Sequence, residues 1–205
     1  MTKVDFKKTI SSYKAKHNLF EIITVPQLQY LMIDGQGDPN TSADFAAAIK
    51  ALYPIAFKLK FMSKQQLEKD YVVAPLEGLW WSDSMDTFTT NLDKASWQWT
   101  LMLMTPDWIT QEMFTQAKQK LAAKKIKEME QVRLEELNEG LCVQTLHIGS
   151  FDSEAPVLKK MHVEFIPANG FNMHQKHHEI YFSDFRVATP EKMRTILRQP
   201  VAKIA

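Results

Sequence analysis

The chain has 205 residues, 45% of them apolar, and its 25 basic and 24 acidic side chains leave a formal net charge of +1. This length and apolar content allow one large domain or two small ones, built around a real hydrophobic core. The near balance of charge argues against a basic surface for nucleic acid and against a polybasic membrane patch.

The N-terminus and the single cysteine bear on the compartment. Residues 1–17 are charged and lack the apolar core of a signal peptide, and no apolar run approaches the roughly 20 residues that span a membrane. Cys142 cannot form an internal disulfide, and its apolar surroundings favour a core residue over a reactive thiol. We therefore expect a soluble cytoplasmic protein without membrane or nucleic-acid partners.

The first part of the chain predicts extended segments followed by a helix. Residues 20–40, FEIITVPQLQYLMIDGQGDPN, are rich in strand formers and end in a turn of Gly, Asp and Pro. Residues 40–61 place apolar side chains at helical spacing, and Asn, Thr and Ser at 40–42 are candidate N-caps. Because Pro54 lies inside this pattern, we expect a kink or a break there.

Two strands and a long helix are predicted next. Residues 70–81 and 95–105 read as strands, and the polar residues 82–94 between them are turn-like. Residues 110–137 show a helical pattern that Gly140 closes. The lysines and glutamates of this helix indicate a solvated face.

The last third of the chain begins with a strand over residues 141–150. A helix over 152–171 follows, with Asp152 or Ser153 as its N-cap and the Asn169–Gly170 turn at its end.

The chain then predicts a strand over residues 177–186, HHEIYFSDFR, and a short helix over 189–197. Thr189 is the expected N-cap of this helix and Pro190 its first residue.

A weak internal repeat organises these elements. The segments QYLMIDGQGDPNTSADFAAAI and VQTLHIGSFDSEAPVLKKM share one plan of strand, glycine, polar turn and helix, each followed by at least one strand. Two such units, over about 20–105 and 140–200 and joined by the long helix, predict a single α+β domain with paired sheets. A pair of this kind is expected to leave a cleft between its halves.

The well-known catalytic motifs are absent. The sequence has no P-loop, no GxGxxG, no HExxH and no GxSxG, and DGQGDPN is better interpreted as a tight turn. The run HQKHHE could bind a metal, but neighbours such as His177 and His178 point to opposite faces of a strand. Solvated or hydrogen-bonded histidines are therefore favoured, and we expect no metal and no cofactor.

Aromatic and sulfur-containing residues gather in the predicted strands. Trp80 and Trp81 follow Glu77, and Trp97 and Trp99 alternate so that both face one side. Met32, Met102 and Met104 also lie in strands. These residues either line an adaptable binding pocket or pack an ordinary core.

Glu179 needs an explanation because it lies within an apolar strand. On a strand, Glu179 and Tyr181 point one way, and His178 and Ile180 point the other. If the sheet is covered, the carboxylate is desolvated at a cost. The alternatives are a solvated edge carboxylate, a pair with Arg186 or a lysine, or a carboxylate at the floor of an aromatic cleft. In a cleft it could attract a cation, or act as a general base with a raised pKa.

At this point the sequence resembles a known family, the GyrI-like small-molecule-binding domain proteins. The resemblance rests on YLMIDGQGDPN, PLEGLWW, WQWTLMLMTPDWIT and KHHEIYFSDFRVATPEKMRTILRQPV, and it covers nearly the whole chain. The last segment is the most specific. Phe182 and Phe185 replace the leucine and proline of the usual HEIYLSDPR, and both changes keep an apolar residue.

The resemblance implies a fold of tandem strand-helix-strand-strand modules (SHS2-like) about a pseudo-twofold axis, with the ligand cleft between them. Strands at 28–34 and 142–149 would then occupy equivalent places. For stand-alone members it implies broad binding of hydrophobic toxins, and for some the hydrolysis of cyclopropanoid genotoxins. In related drug-responsive regulators it implies a buried glutamate that meets cationic aromatic drugs. Glu179 and Tyr181 match the E-x-Y positions of the family and take the catalytic roles.

The expected cleft is lined by Glu179, Tyr181 and Trp80, together with some of Tyr30, Met32, Tyr71, Trp97 and Trp99. Trp80 is favoured over Trp81, because adjacent residues on a strand face opposite sides. A buried carboxylate could activate the water that opens a strained cyclopropane, and a tyrosine hydroxyl could orient that water or donate to the developing oxyanion.

Two other functions remain open from the sequence. The same cleft could sequester drugs or sense ligands without turnover. A gyrase inhibitor would be expected to act through an acidic surface, which this nearly neutral chain does not favour.

Overall fold

The computed structural model of the protein describes residues 2–82, 94–184 and 187–204. The predicted turn over 82–94 therefore lies, apart from its two ends, outside the described residues. Phe185 and Arg186 lie outside them as well.

The described strands are β1 (Lys3–Val4), β2 (Glu21–Val25), β3 (Leu28–Gln36), β4 (Asp70–Tyr71), β5 (Leu76–Trp81), β6 (Gln98–Thr105), β7 (Arg133–Leu137), β8 (Gly140–Ile148), β9 (Phe171–Met173), β10 (His177–Tyr181) and β11 (Arg194–Lys203). The helices are α1 (Phe6–Thr9), α2 (Ala43–Gln66), α3 (Gln111–Leu121), α4 (Ala155–Lys159) and α5 (Ile166–Ala168). A π-helical segment, Lys160–Phe165, joins α4 to α5.

Nine of the described strands form one antiparallel sheet in the order β2-β8-β11-β10-β5-β6-β3-β7, with β9 beside β11. Without its two edge strands, the order is β8-β11-β10 followed by β5-β6-β3. The units β3-α2-β5-β6 and β8-α4-α5-β10-β11 therefore follow the same plan from opposite ends of the sheet. This arrangement confirms the predicted pseudo-twofold α+β fold, whose axis passes between β5 and β10.

The two units exchange their edge strands. Strand β2 precedes β3 along the chain but pairs with β8, and β7 precedes β8 but pairs with β3. Each unit thus completes the sheet of the other and covers a backbone edge that would otherwise be open to pairing.

Both long helical segments cover the same face of the sheet, here called the helical face. Helix α2 packs against Leu31, Leu101 and Leu103, and the α4–α5 segment packs against Val143 and Leu197. The side chains between these positions point to the opposite face, which the N-terminal residues 10–17 cover.

Helix α2 begins where the sequence predicts. The Ser42 hydroxyl accepts a hydrogen bond from the Phe45 amide at 3.3 Å. The helix continues through Pro54, so the predicted break is wrong, whereas the alternative of a kink stays a prediction. Pro54 removes one backbone hydrogen bond, but the fully buried Leu52 and Ile55 on either side keep the helix packed on the sheet.

The long helix predicted over 110–137 is wrong. Helix α3 ends at Leu121, Lys125 adopts a left-handed φ of 52°, and β7 pairs with the free edge of β3. The residues after Leu121 have good helical propensity, but Met129 and Val132 are buried in the core under α2. Tertiary packing and strand pairing override propensity here.

The short helix predicted over 189–197 is also wrong. Pro190 begins a single 3₁₀ turn that ends at Lys192, and the chain continues as β11 between β8 and β10. Leu197 is buried on the helical face and Ile196 on the opposite face. A strand buried on both faces lacks the alternation that would distinguish it from a helix in the sequence.

Two further predictions concern Cys142 and membrane insertion. Cys142 is a fully buried free cysteine, and burial raises the pKa of its thiol to about 12, which confirms a core residue. None of the helices in the described part of the chain combines the length and apolar content needed to cross a bilayer.

A buried cluster of charges lies on the opposite face. The His178 ring nitrogens are each 2.9 Å from a carboxylate, Nδ1 from Glu139 and Nε2 from Glu77. Arg198 Nη1 donates to Glu139 at 2.8 Å, and the Tyr13 hydroxyl donates to Glu77 at 2.5 Å. Two cations and two carboxylates balance one another, as buried charges must.

The same contacts shift the ionisation of the cluster. Burial alone would lower the pKa of His178, but Glu139 and Glu77 raise it to about 9. Burial alone would raise the pKa of Glu139, but His178 and Arg198 lower it to about 2. Stability from His178 is therefore complete below its unfolded pKa of 6.5 and is lost as the pH rises through 9. Stability from Glu139 is complete above 4.5 and is lost as the pH falls through 2.

We predict that Glu139→Gln lowers the free energy of unfolding by about 3–5 kcal/mol near pH 6, because it leaves His178 and Arg198 with one fewer counter-charge. Urea unfolding followed across pH 3–9 measures this, with the exposed Glu164→Gln as the matched control. Below pH 4.5, the free energy of unfolding of the variant should also fall much less than that of the wild type. A change within about 0.5 kcal/mol, as for an ordinary surface substitution, would contradict a structural cluster.

Candidate functional site

The site forms where β5 and β10 meet at the centre of the sheet. These strands pair antiparallel, with Glu179 opposite Gly78 and His177 opposite Trp80. Gly78 leaves space that the site uses, because an added Cβ would lie 2.8 Å from Trp80 Nε1 and 3.2 Å from the Tyr181 hydroxyl. A glycine at this position lets the two aromatic side chains approach over the strand.

A chain of hydrogen bonds holds the Glu179 carboxylate. Trp80 Nε1 donates to the Tyr181 hydroxyl at 2.9 Å, and that hydroxyl donates to Glu179 Oε2 at 2.7 Å. The second carboxylate oxygen, Oε1, is 3.7 Å from His177 Nε2. One oxygen is thus fixed in direction, and the other is not bound by Tyr181.

A cavity of about 340 Å³ lies over this carboxylate, between the two units. Its volume is at the lower end of the roughly 300–1,000 Å³ typical of small-molecule sites. The lining residues are Pro39, Asn40, Phe45, Trp80, Lys94 and Trp97 from the first unit and Phe151, Asp152, Glu154, Ala155, Leu158, His177, Glu179 and Tyr181 from the second.

The aromatic rings of the cavity pack against one another. Phe45 stacks on Trp80 at 6.1 Å between centroids, and Trp97 meets Trp80 edge-on at 5.9 Å. Phe151 meets Tyr181 edge-on at 5.7 Å. The cavity therefore has preformed aromatic walls, a surface suited to planar apolar ligands.

The structure brings four of the predicted site residues together in this cavity, namely Glu179, Tyr181, Trp80 and Trp97. Trp81 lies on the opposite face, where its Nε1 donates to Gln98 at 2.9 Å. Trp99 does not line the cavity; it packs edge-on behind Phe45 at 5.3 Å.

The predicted cleft positions of Tyr30, Met32 and Tyr71 are wrong. Tyr30 and Met32 point to the opposite face of β3, where they pack with Tyr13. Tyr71 lies on β4, outside the main sheet, and contacts Phe6 at 6.5 Å between ring centroids. The sequence identified these side chains as aromatic or adaptable, but it did not fix the strand register that directs them.

Several cavity residues were missed by the sequence analysis. Phe45 is the first large apolar residue of α2, a signal that could have been used. Glu154 could not be placed, because the predicted caps Asp152 and Ser153 lie in a 3₁₀ turn and Glu154 itself is the N-cap residue of α4. Its side chain makes no capping hydrogen bond, and the residue is only 4% exposed.

Burial sets the ionisation of the two inner carboxyls. It raises the pKa of Glu179 to about 7, although the Tyr181 hydrogen bond and the charge of His178 oppose the shift. Burial raises the pKa of Glu154 well above its usual value, and the nearby Glu179 carboxylate raises it further. At neutral pH, therefore, Glu179 is poised between its two forms.

The two groups closest to the carboxylate, His177 and Tyr181, are neutral at the same pH. Burial, reinforced by His162 and His178, lowers the pKa of His177 well below its usual value. Burial and the Glu179 charge raise the pKa of Tyr181, so its hydroxyl keeps its proton. Among the described residues, no group of three or more His, Cys, Asp or Glu side chains is arranged to hold a metal ion.

Glu179 lies on a central strand of the sheet, and its side chain is largely buried. A solvated edge carboxylate is wrong, because β10 is a central strand and the Glu179 side chain is 13% exposed. The possible partner Arg186 lies outside the described residues. Within the described ranges, no lysine or arginine reaches ion-pair distance of this carboxylate. The arrangement can accept a proton, attract a cation and stack a planar molecule.

Comparisons with known proteins agree with this architecture. An uncharacterized conserved protein from Listeria innocua is 40% identical, with a TM-score of 0.87 over 98% of this chain and 100% of that one. A hydrolase from Listeria innocua is 39% identical with a TM-score of 0.84, and a second hydrolase from that organism is 40% identical with a TM-score of 0.86; both have the same coverage.

No curated protein sequence matches the chain. The family described as GyrI-like small molecule binding domain matches residues 20–201, which include both units and every described cavity residue. The chain belongs to the GyrI-like small-molecule-binding domain family.

Proposed function

We propose that the protein is a hydrolase that binds planar hydrophobic or cationic toxins in this cavity and opens cyclopropanoid rings with water activated by Glu179. The observation that carries the proposal is a buried carboxylate, with its pKa raised to about 7, among five aromatic rings. The two Listeria innocua relatives described as hydrolases support an enzyme rather than a binding module.

The chemistry follows from the position of the carboxylate. A cyclopropane fused to a cyclohexadienone is a strained electrophile, and water opens it when a base removes the proton of the water. Glu179 Oε1 is the oxygen that the Tyr181 hydroxyl does not hold, so it is the atom we assign to the water. General-base assistance of this kind is typically worth about 10²–10⁴ in rate.

Tyr181 acts on the base rather than on the substrate. Its single hydroxyl proton is donated to Glu179, and its oxygen accepts from Trp80. We therefore assign Tyr181 to fixing the carboxylate and lowering its pKa, in place of the expected donation to an oxyanion. The aromatic walls hold the planar substrate and exclude competing water.

A second candidate function is binding without turnover. The observation that favours it is the same carboxylate beneath aromatic rings, which can hold an organic cation by charge and by contact with the ring faces. The measurements below separate the two functions, because only one of them requires a reacting water.

We predict that Glu179→Gln reduces cyclopropane opening by at least about a hundredfold, because the near-isosteric amide cannot accept the proton. The rate is measured by mass spectrometry of the ring-opened, water-added product at matched folded concentrations. Glu164→Gln, an exposed change on the helical segment beside the cavity, should react at the wild-type rate. Equal rates for wild type and Glu179→Gln would show that this carboxylate is structural.

We predict that Tyr181→Phe costs less activity than Glu179→Gln and shifts the pH dependence. The hydroxyl lowers the pKa of Glu179, so its removal raises that pKa further. The base must be ionised to act, and the rise of rate with pH should therefore move to higher pH. A pH–rate profile with an unchanged midpoint would count against the assigned role of Tyr181.

We predict that a planar aromatic cation binds more tightly as the pH rises through about 7, because Glu179 then gains its negative charge. Quenching of tryptophan fluorescence reports the binding, since Trp80 and Trp97 line the cavity. A neutral analogue of the same shape should bind with little pH dependence. If Glu179→Gln keeps the full pH dependence for the cation, the charge of Glu179 is not what the ligand recognises.

A further inference from the structure

A second carboxyl group faces the cavity and is not used by the chemistry described above. Glu154 is 4% exposed, and its Oε1 has no hydrogen-bond partner among the described residues. It occupies the N-cap position of α4 but makes no capping bond with its side chain. A buried carboxyl oxygen without a partner is costly unless it carries a proton or meets a ligand.

The proposed reaction also requires a proton donor that the other residues do not supply. When the cyclopropane opens, the electron pair moves to the carbonyl oxygen of the substrate, which must be stabilised or protonated. The Tyr181 proton is already donated to Glu179. Lys94 also lines the cavity, but its ammonium is 3.4 Å from the carboxylate of Asp152, whose side chain is 88% exposed.

We propose that Glu154 is a neutral carboxylic acid in the resting protein and is the proton donor of the site. The cavity would then select ligands that present a carbonyl oxygen to Glu154 and, conjugated to it, an electrophilic carbon to the water on Glu179. The donor step rests on the proposed hydrolase function, whereas the neutral state of Glu154 does not.

The charges around Glu154 support a neutral acid. Burial raises its pKa most, and the carboxylates of Glu179 on β10 and Asp152 in the preceding turn raise it further. The Thr195 hydroxyl on β11 and the Lys94 ammonium lower it in part. Two carboxyl groups in one desolvated cavity repel each other when both are ionised. The pair therefore keeps one proton after the first group has ionised.

The step balances with these two groups. The water oxygen forms a bond to the cyclopropane carbon, and the carbon–carbon bond of the ring breaks. Its electron pair gives a phenolate oxygen, which takes the proton of Glu154, while Glu179 takes the proton of the water. Transfer of one proton from Glu179 back to Glu154 restores the site, and the net reaction is addition of one water molecule.

The protonation state can be tested without any turnover. Infrared difference spectra between wild type and Glu154→Gln should show the carbonyl band of a protonated carboxylic acid at about pH 8, where Glu179 is largely ionised. The same band should appear in the difference spectrum between Glu164→Gln and Glu154→Gln. Absence of the band in wild type, or its survival in Glu154→Gln, would overturn the proposal.

The donor role is tested by the pH dependence of cyclopropane opening. Wild type should give a bell-shaped profile, which rises as Glu179 ionises and falls as Glu154 loses its proton. Glu154→Gln should lose the alkaline fall and react about a hundredfold more slowly at the optimum. Its acid limb should stay in place, because exchanging a neutral acid for an amide leaves the charge around Glu179 unchanged.

The other outcomes are distinguishable. An acid limb that moves to lower pH in Glu154→Gln, with the alkaline fall intact, would mean that Glu154 is an ionised structural group and would overturn the proposal. A wild type that opens no cyclopropane would reject the hydrolase function, and the infrared comparison would still decide the state of Glu154. If Glu154→Gln does not fold, Glu154→Asp replaces it. In that variant the infrared band of the protonated carboxylic acid must shift, and the fall of the rate at alkaline pH must remain.

Discussion

The pairing of β5 with β10 is the constraint on which the rest of the molecule depends. It joins the two units into one sheet, and it places Glu179 opposite Gly78 at the point where their cavity lies. The missing side chain of Gly78 leaves room for Trp80 and Tyr181 to meet above the strand. Neither unit alone would bury the Glu179 carboxylate, because the cavity walls come from both.

Strands β5 and β10 carry ionisable side chains on both faces of the sheet. Those on one face balance one another, whereas, within the described part of the chain, the carboxyl of Glu179 on the other face has no such counter-charge. On the opposite face, Glu77 and Glu139 balance the charges of His178 and Arg198. On the helical face, Glu179 accepts a hydrogen bond from a tyrosine hydroxyl. Among the described residues, no lysine or arginine lies within ion-pair distance of it. A balanced cluster stabilises the fold, whereas a desolvated carboxyl with a raised pKa costs stability and is suited to accept a proton.

The sequence could predict the parts of this account that depend on local pattern. Glu179 and Tyr181 share a face because they are two residues apart on a strand, and the repeat of strand, turn and helix predicted two related units. The sequence could not predict β7 or β11, because helical propensity at 122–137 and two-sided burial at Leu197 conceal strands that only pairing reveals. The sequence also could not show that Tyr30 and Met32 point away from the cavity, because strand register rather than residue type decides that direction.

The proposed role of Glu179 as a base requires a desolvated carboxyl whose pKa lies near neutrality. Carbon NMR of protein labelled at the glutamate carboxyls, assigned by the signal that Glu179→Gln removes, measures it directly during a pH titration. We expect a midpoint of about 7 for Glu179. A midpoint near the ordinary value of 4.5 would mean that water solvates the carboxylate, and it would contradict the role of Glu179 as the base of this cavity.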